Sequence, residues 1–352
     1  MSGRDDASQR DQIVLFHLSD PHIGTCLMPS AETFHRLRAG YNPHDFRLLR
    51  PLELAIRHAR RHVGLSERDP LNILISGDLT QSGLDNDYAT AMALLHHRLQ
   101  WRFGSQPRWL GFGWARERTS TVPGNHDQWR RARHQTGYTP GLAPGWFEPT
   151  PWRRTIESSA GTLRLELYGV DSNSGLEDPG DPGKRNLFAG GALSDYELQD
   201  LAFHLAMTPE DKPDQAVVRG FVCHHAFSTS GGFLDAQPLS DDSRRALETL
   251  AARYDVAVAL TGHTHTFHVR DWPIGGERGL ALKELRCATT LQGTRARPGL
   301  QGFWVHQIVR SAGSQACEWT AWKYQAAAGW FDLDAVVPLT FVIPPERVSS
   351  VR

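Results

Sequence analysis

Four short, nearly continuous apolar runs punctuate this chain of 352 residues, and each stops abruptly at a polar block. Ile13–Leu18 halts at Ser19-Asp20-Pro21, Leu71–Ile75 at Ser76-Gly77, Val217–Val222 at Cys223-His224, and Val256–Leu260 at Thr261-Gly262. An apolar run without polar alternation suits a strand covered on both faces, since alternation marks strands with one face in water. Such strands need a layer on either side of their sheet. Helical signals fill the gaps between them, which predicts an α/β fold.

The clearest helix start is Ser194-Asp195-Tyr196-Glu197, which reads as a capping box with Leu193 and Leu198 placed for a hydrophobic staple. Leu198, Leu201, Ala202 and Leu205 then follow helical spacing. A second helix is predicted from near Ser240, with Asp241 and Asp242 at its positive end and Leu247, Leu250, Ala251 and Tyr254 buried. Leu52–His62 and Tyr88–Leu99 are also predicted helices. Trp101–Ser120, rich in Trp, Arg and Gly, reads as a loop with a short strand, and Gly169–Gly191 as a long surface loop near the site. From His268 onward helical periodicity fades. Leu280–Cys287, Gly302–Val309, Ala316–Tyr324 and Trp330–Leu333 look like antiparallel strands, forming either a second sheet packed on the first or a small β appendage. The expected organisation is a mobile polar tail over residues 1–12, a core over 13–268 and a β-rich part over 269–352 packed on that core within the same domain.

Bulk properties narrow the function classes. Charged residues at 22% and hydrophobic residues at 40% are ordinary for a soluble globular protein. A formal net charge of −1 argues against bulk attraction to a polyanion such as nucleic acid. Cys26, Cys223, Cys287 and Cys317 are far apart and form no thiolate cluster. Together with the polar start Met1-Ser2-Gly3-Arg4, they predict free thiols in a reducing cytoplasm. No apolar stretch reaches the length of a membrane span, so no membrane association is expected.

The polar blocks carry the chemistry. In order they are Asp20-Pro21-His22, Gly77-Asp78, Gly124-Asn125-His126-Asp127, His224-His225 and Gly262-His263-Thr264-His265. Carboxylate, amide and imidazole donors of this kind bind hard to borderline divalent cations. There are enough of them for two ions, and two adjacent ions suggest chemistry on phosphate esters. Open α/β sheets bind ligands beyond the carboxyl ends of their strands, where these blocks fall. Taken singly, a Gly-Asp or Asp-x-His after a strand is most often a plain turn. Five in order have no such bland explanation. Asp20 and His22 are two apart, so an extended backbone would aim both the same way. Gly77 lets the chain turn sharply before Asp78, which is placed to bridge two cations. His263 and His265 share the same spacing and can deliver one imidazole to each.

This series resembles the calcineurin-like metallophosphoesterase family, with its pattern Asp-x-His, Gly-Asp, Gly-Asn-His-Asp/Glu, His and Gly-His-x-His, over residues 13–268. The resemblance implies a four-layer sandwich of two mixed β-sheets flanked by helices, with a dinuclear centre of Mn, Fe, Zn or Mg ions. By that likeness Asp20, His22, Asp78 and His265 would hold the first metal, and Asp78, Asn125, His224 and His263 the second. His224 is preferred to His225 as the ligand because the first histidine of the pair serves in the family; Ala226 stands where proline is usual. The implied reaction is hydrolysis of a phosphoester bond by in-line attack of a hydroxide shared between the metals. His126 would stabilise the reacting phosphate or protonate the leaving oxygen, and Asp127 would orient His126. No Ser or Cys nucleophile motif is present. Gly77-Asp78-Leu79-Thr80-Gln81-Ser82-Gly83 is similar to the phosphodiesterase-like branch, which points to a small phosphoester substrate. Gln81-Ser82 replaces the Asp-Arg-Gly of protein Ser/Thr phosphatases, an alternative it disfavours. A further alternative is a metal-binding interaction module without catalysis. Arg130, Arg131 and Arg133 fit a solvated helix face better than contact with an anionic substrate, and the tryptophans of the Trp101–Arg116 stretch are expected to pack on the core.

Overall fold

The computed structural model describes residues 11–24, 48–81, 83–103, 106–128, 146–176, 190–207, 215–228, 238–274, 280–291, 301–310, 316–327 and 330–343. Along the chain run β1 (Gln12–Leu18), α1 (Leu49–His62), β2 (Asn72–Ile75), α2 (Asp85–His96), β3 (Leu99–Phe103), β4 (Gln106–Leu110), β5 (Thr119–Thr121), β6 (Trp152–Glu157), β7 (Leu163–Gly169), α3 (Asp195–Ala206), β8 (Ala216–Val222), α4 (Asp241–Arg253), β9 (Val256–Thr261), β10 (His268–Pro273), β11 (Ala281–Arg286), β12 (Gly302–Arg310), β13 (Cys317–Ala327) and β14 (Trp330–Ile343).

Two six-stranded sheets form, in the orders β14-β13-β12-β1-β2-β5 and β10-β11-β9-β8-β7-β6. Both are mixed. In the first, β1, β2 and β5 are parallel while β12, β13 and β14 run antiparallel. In the second, β7, β8, β9 and β11 are parallel, with antiparallel β6 and β10 at the edges.

The double coverage read from the apolar runs has a direct counterpart in β1. Ile13 and Leu15 point between the sheets, among Leu74, Leu165, Val218, Leu260, Trp304 and Trp319. Val14, Phe16 and Leu18 point outward, among Leu49, Leu52 and Ile56 of α1 and Leu94 and Leu95 of α2. The second sheet is covered likewise: Tyr168, Phe221 and Ala259 meet Leu201 and Leu205 of α3 and Leu247 and Ala251 of α4. The result is four layers, helix, sheet, sheet, helix. Each such aliphatic or aromatic side chain contributes about 1.5–3 kcal/mol on burial.

The β-rich tail follows neither of its two expected arrangements. It is divided between the sheets. β10 and β11 extend the second, whereas β12–β14 extend the first, with β12 paired directly to β1. Boundaries differ elsewhere. The helix expected over Tyr88–Leu99 spans Asp85–His96, its first turn holding Asp85 and Asp87 where the helix dipole favours negative charge. Leu99 instead opens β3, which pairs with β4 as a hairpin where a loop and one short strand were expected. Ser194 does cap α3, accepting from the Glu197 N–H at 3.2 Å. The reciprocal half of the capping box is replaced, because Glu197 Oε1 accepts from the Asp171 N–H at 2.7 Å. Trp114 packs inward against Phe112, but Trp109 is exposed, against the expectation for that stretch. Arg130, Arg131, Arg133 and Cys26, the tail over residues 1–10 and part of the Gly169–Gly191 loop lie outside the described residues.

Candidate metal centre

All five polar blocks converge at one end of the sandwich, because the parallel strands of both sheets finish there. β1 leads into Ser19 and Asp20, β2 into Ser76 and Gly77, and β5 to Asn125 and a single 3₁₀ turn, His126–Gln128. From the second sheet β8 ends at His224 and β9 at Gly262. Backbone bonds tie the tips together: Asp20 N–H donates to the Gly77 carbonyl at 3.1 Å, His22 N–H to that of Asp78 at 3.0 Å, and Gly262 N–H to that of His224 at 3.0 Å.

Two groups of donor atoms result. Asp20, His22, Asp78 and His265 each offer one atom, all within 4.8 Å of one another, and so do Asp78, His224 and His263. Asp78 belongs to both groups. Asn125 joins the second group: its Oδ1 is 3.0 Å from His224 Nε2, which is 3.1 Å from His263 Nδ1. His263 and His265 part company, one to each group.

One detail of the sequence reading is corrected. Asp20 and His22 do not lie in extended backbone. Their φ angles are +49° and +46°, and Asp78, His263 and His265 share this left-handed region at +49°, +71° and +55°. Asp255 is the one other described non-glycine residue with positive φ. This conformation is uncommon outside glycine and concentrates at functional sites. Two glycines make room for the crowding. Gly77 has φ +94°, and a Cβ there would sit 2.4 Å from His224 Nδ1; a Cβ on Gly124 would sit 2.2 Å from Asp78 Oδ1.

Asp20, His22, Asp78, Asn125, His224 and His263 are all buried. Burial alone would raise the Asp78 carboxyl, but the His224 imidazole, and His126 after it, outweigh it and hold Asp78 well below the usual carboxylate range. Burial pulls His22 down, with His126 adding to the effect, and does the same to His263 with help from His225 and His224. Both stay neutral, the form in which imidazole binds a metal. Burial also opposes charge on His224, yet the Asp78 carboxylate prevails and pushes it up to about 9. His224 Nδ1 donates to the Ser76 carbonyl at 2.8 Å, which directs Nε2 into the cluster. Asp20 Oδ1 and His263 Nε2 are buried without a hydrogen-bond partner. Buried polar atoms are almost always satisfied, so two such atoms facing one cluster, in a set of carboxylate, amide and imidazole donors, fit divalent cations.

His126 Nε2 lies 3.9 Å from Asp78 Oδ2, beside the shared carboxylate. Its partner differs from the one expected. Nδ1 is 3.0 Å from the Gln81 carbonyl, so that ring nitrogen donates and Nε2 faces the cluster. Asp127 does not orient the ring. Its carboxylate accepts from the N–H groups of Leu79, Thr80 and Gly124 and from the Thr80 hydroxyl, at 2.8–3.1 Å. Burial and the nearby Asp78 push the Asp127 carboxyl up to about 7. Asp127 thus fastens the β5 turn to the β2 turn. His225 is outside both donor groups; its Nδ1 is 2.7 Å from the Ser172 hydroxyl. Cys223, just past β8, is a buried thiol.

Sequence reasoning missed the supports. Thr289 Oγ1 donates to the Asp20 carbonyl at 2.8 Å, and Thr290 Oγ1 to that of Ser19 at 2.7 Å. The available signal was positional, two threonines one residue past the predicted strand Leu280–Cys287. Asp171 and Ser172, just past β7, had no signal beyond lying in a loop placed near the site.

The chain matches the calcineurin-like phosphoesterase family over residues 13–267, more than half its length. It belongs to that family. A search of curated protein sequences returned no significant match. Among solved structures, a single mutant of Vps29 from Entamoeba histolytica is similar at 12% identity and a TM-score of 0.34, with 94% of this chain and 99% of that one covered. A conserved protein from Streptococcus pneumoniae described as a predicted phosphoesterase follows at 12% identity and 0.30, with 94% and 98% covered. Thermus thermophilus TT1561 gives 13% and 0.34, with 95% and 100% covered. The sheet order and the family match, not these distant likenesses, define the fold. Among the described residues no helix is long and apolar enough to cross a membrane.

Proposed function

We propose that this family member is a dinuclear metal-dependent phosphoesterase acting on a small substrate, a phosphodiester or phosphomonoester. The observation that carries the reading is the pair of donor groups sharing Asp78, with His126 Nε2 facing the shared carboxylate. Asp20, His22, Asp78 and His265 would hold one cation, and Asp78, Asn125, His224 and His263 the other. When bound, such a pair lowers the pKa of water and offsets charge that builds on a phosphoryl group.

The chain's own groups supply the rest. Neutral His22 and His263 present lone pairs, while ionised Asp20 and Asp78 supply the negative charge that retains cations. His126, its Nδ1 proton engaged by Gln81, holds or releases a proton at Nε2, where a leaving oxygen would lie. Mn, Fe, Zn or Mg suit this mixed oxygen and nitrogen set. A near-neutral chain must draw an anionic substrate by local charge, which favours a small phosphoester over nucleic acid. Three buried free thiols, Cys223, Cys287 and Cys317, support a reducing cytoplasmic setting.

The test is release of nitrophenolate from bis-p-nitrophenyl phosphate by purified protein with added Mn²⁺. Activity that a chelator removes and metal restores supports the enzyme. Silence over a panel of metals and esters would leave a metal-binding interaction module instead.

A further inference from the structure

Two histidines lie where none is needed for packing. His17 on β1 and His306 on β12 are fully buried between the sheets, their ring centroids 5.5 Å apart. Trp319 on β13 is equally buried, and its indole N–H donates to His306 Nδ1 at 3.2 Å. An indole nitrogen donates and never accepts, so this end fixes the direction of everything after it.

With His306 Nδ1 accepting, a neutral ring carries its proton on Nε2, which lies 3.3 Å from His17 Nδ1. His17 Nδ1 therefore accepts, and its Nε2–H donates to Ser76 Oγ at 2.9 Å. Ser76 Oγ donates to Ser19 Oγ at 2.9 Å, and the Ser19 hydroxyl donates to Asp20 Oδ2. Every member from Trp319 to Asp20 is buried. Burial holds His17 at about 3, against the opposing pull of Asp20, so the ring stays neutral.

We infer that Trp319, His306, His17, Ser76 and Ser19 form a one-way hydrogen-bond relay that orients the Asp20 carboxylate as a metal donor. The inference rests on the metal-centre reading above and adds positioning residues to it. The relay saturates Oδ2, which also accepts from the His263 N–H at 3.1 Å. That leaves Oδ1 3.1 Å from His265 Nε2 and 3.8 Å from His22 Nε2, inside the first donor group. One carboxylate oxygen is committed to the protein and the other to the site. The first two members come from strands beyond the family-matched residues 13–267. The relay thus gives β12 and β13 a role at the site: they extend the β1 sheet and also aim the donor at its tip.

The test uses the full chain. In the wild type, ¹⁵N spectra of the imidazoles should show both His17 and His306 protonated at Nε2 alone. Trp319→Phe keeps an aromatic ring but removes the donor; Ser76→Ala removes a single oxygen and guards against a folding defect in the first variant. Calorimetric titration with Mn²⁺ and with Zn²⁺ should show affinity about 10- to 100-fold weaker in each, the usual effect of losing an outer-shell partner. Far-ultraviolet circular dichroism and a cooperative thermal transition should remain native. Either ring carrying its proton on Nδ1, or unchanged affinity in the folded variants, overturns the relay alone. Failure of the wild type to bind either cation overturns the metal-centre reading and the relay together.

Discussion

Neutralising Glu197 should stabilise this protein at alkaline pH and leave it unaffected in acid. Glu197 is 7% exposed, on the first turn of α3. Burial pushes its carboxyl from 4.5 up to about 7, against the backbone hydrogen bond from Asp171, which favours the charged form. The folded state therefore holds this proton more tightly than the unfolded one. The sign follows: the group's full contribution is present below about 4.5, declines as pH rises towards 7, and is flat beyond. A rise from 4.5 to about 7 corresponds to about 3 kcal/mol. Glu197→Gln keeps the carbonyl oxygen that accepts from Asp171 and has no charge to desolvate. Urea unfolding of both proteins at pH 5, 6, 7 and 8 gives the difference in stability, in which other titrating groups cancel. That difference should be under about 1 kcal/mol at pH 5 and grow to about 3 kcal/mol in favour of the variant by pH 8. Parallel profiles, or a variant that loses ground as pH rises, would refute the reasoning. The outcome bears on the site, since Glu197 holds the backbone of Asp171 and the adjoining Ser172 holds His225.

Two further substitutions separate metal retention from chemistry. Asp78→Asn should lose both cations by elemental analysis, because its carboxylate belongs to both donor groups. His126→Ala should keep them and lose about 10²- to 10⁴-fold in turnover, the range for a positioned proton donor; wild-type rates with both metals bound would remove His126 from the mechanism. Gly77→Ala combines φ +94° with a Cβ 2.4 Å from His224 Nδ1. It should destabilise by about 2–4 kcal/mol in thermal unfolding and weaken metal retention, and a neutral effect would contradict the packing described.

The donor residues were legible in the sequence because each block ends a parallel strand, and strand ends of one direction meet at one edge. Period and order place each block at a strand end, and the family resemblance assigned the five positions, distant in the chain, to one place. Boundaries within the Trp-rich segment were not legible. Leu99–Phe103 has the apolar content of a helix end and also the aromatic content of a strand, and pairing with Gln106–Leu110 decides for the strand. The role of Asp127 was hidden for a different reason. A carboxylate beside a histidine suggests a pair, but its partners are backbone N–H groups of a turn some 50 residues earlier, which no local pattern reports. The relay was equally invisible: His17 and His306 read as strand residues, and only the pairing of β12 with β1 brings them together.

The left-handed residues explain why so much of the surrounding structure is given over to support. Asp20, His22, Asp78, His263 and His265 each occupy a conformation that disfavours an L-residue by about 1–2 kcal/mol. Their sum is of the order of the whole net stability of a domain, 5–15 kcal/mol, though Asp and His tolerate this region better than most residues. The offset is visible in the bonds that lock these turns: the Gly77 and Asp78 carbonyls to the β1 tip, Asp127 across the β2 and β5 turns, and Thr289 and Thr290 beneath Ser19 and Asp20. None of these bonds involves a cation. If these protein bonds suffice to set the turns, the donors stand in place with or without a metal. Metal-free protein should accordingly give the same near-ultraviolet circular dichroism as the loaded form, whereas a site assembled by its metals would lose that signal on chelation.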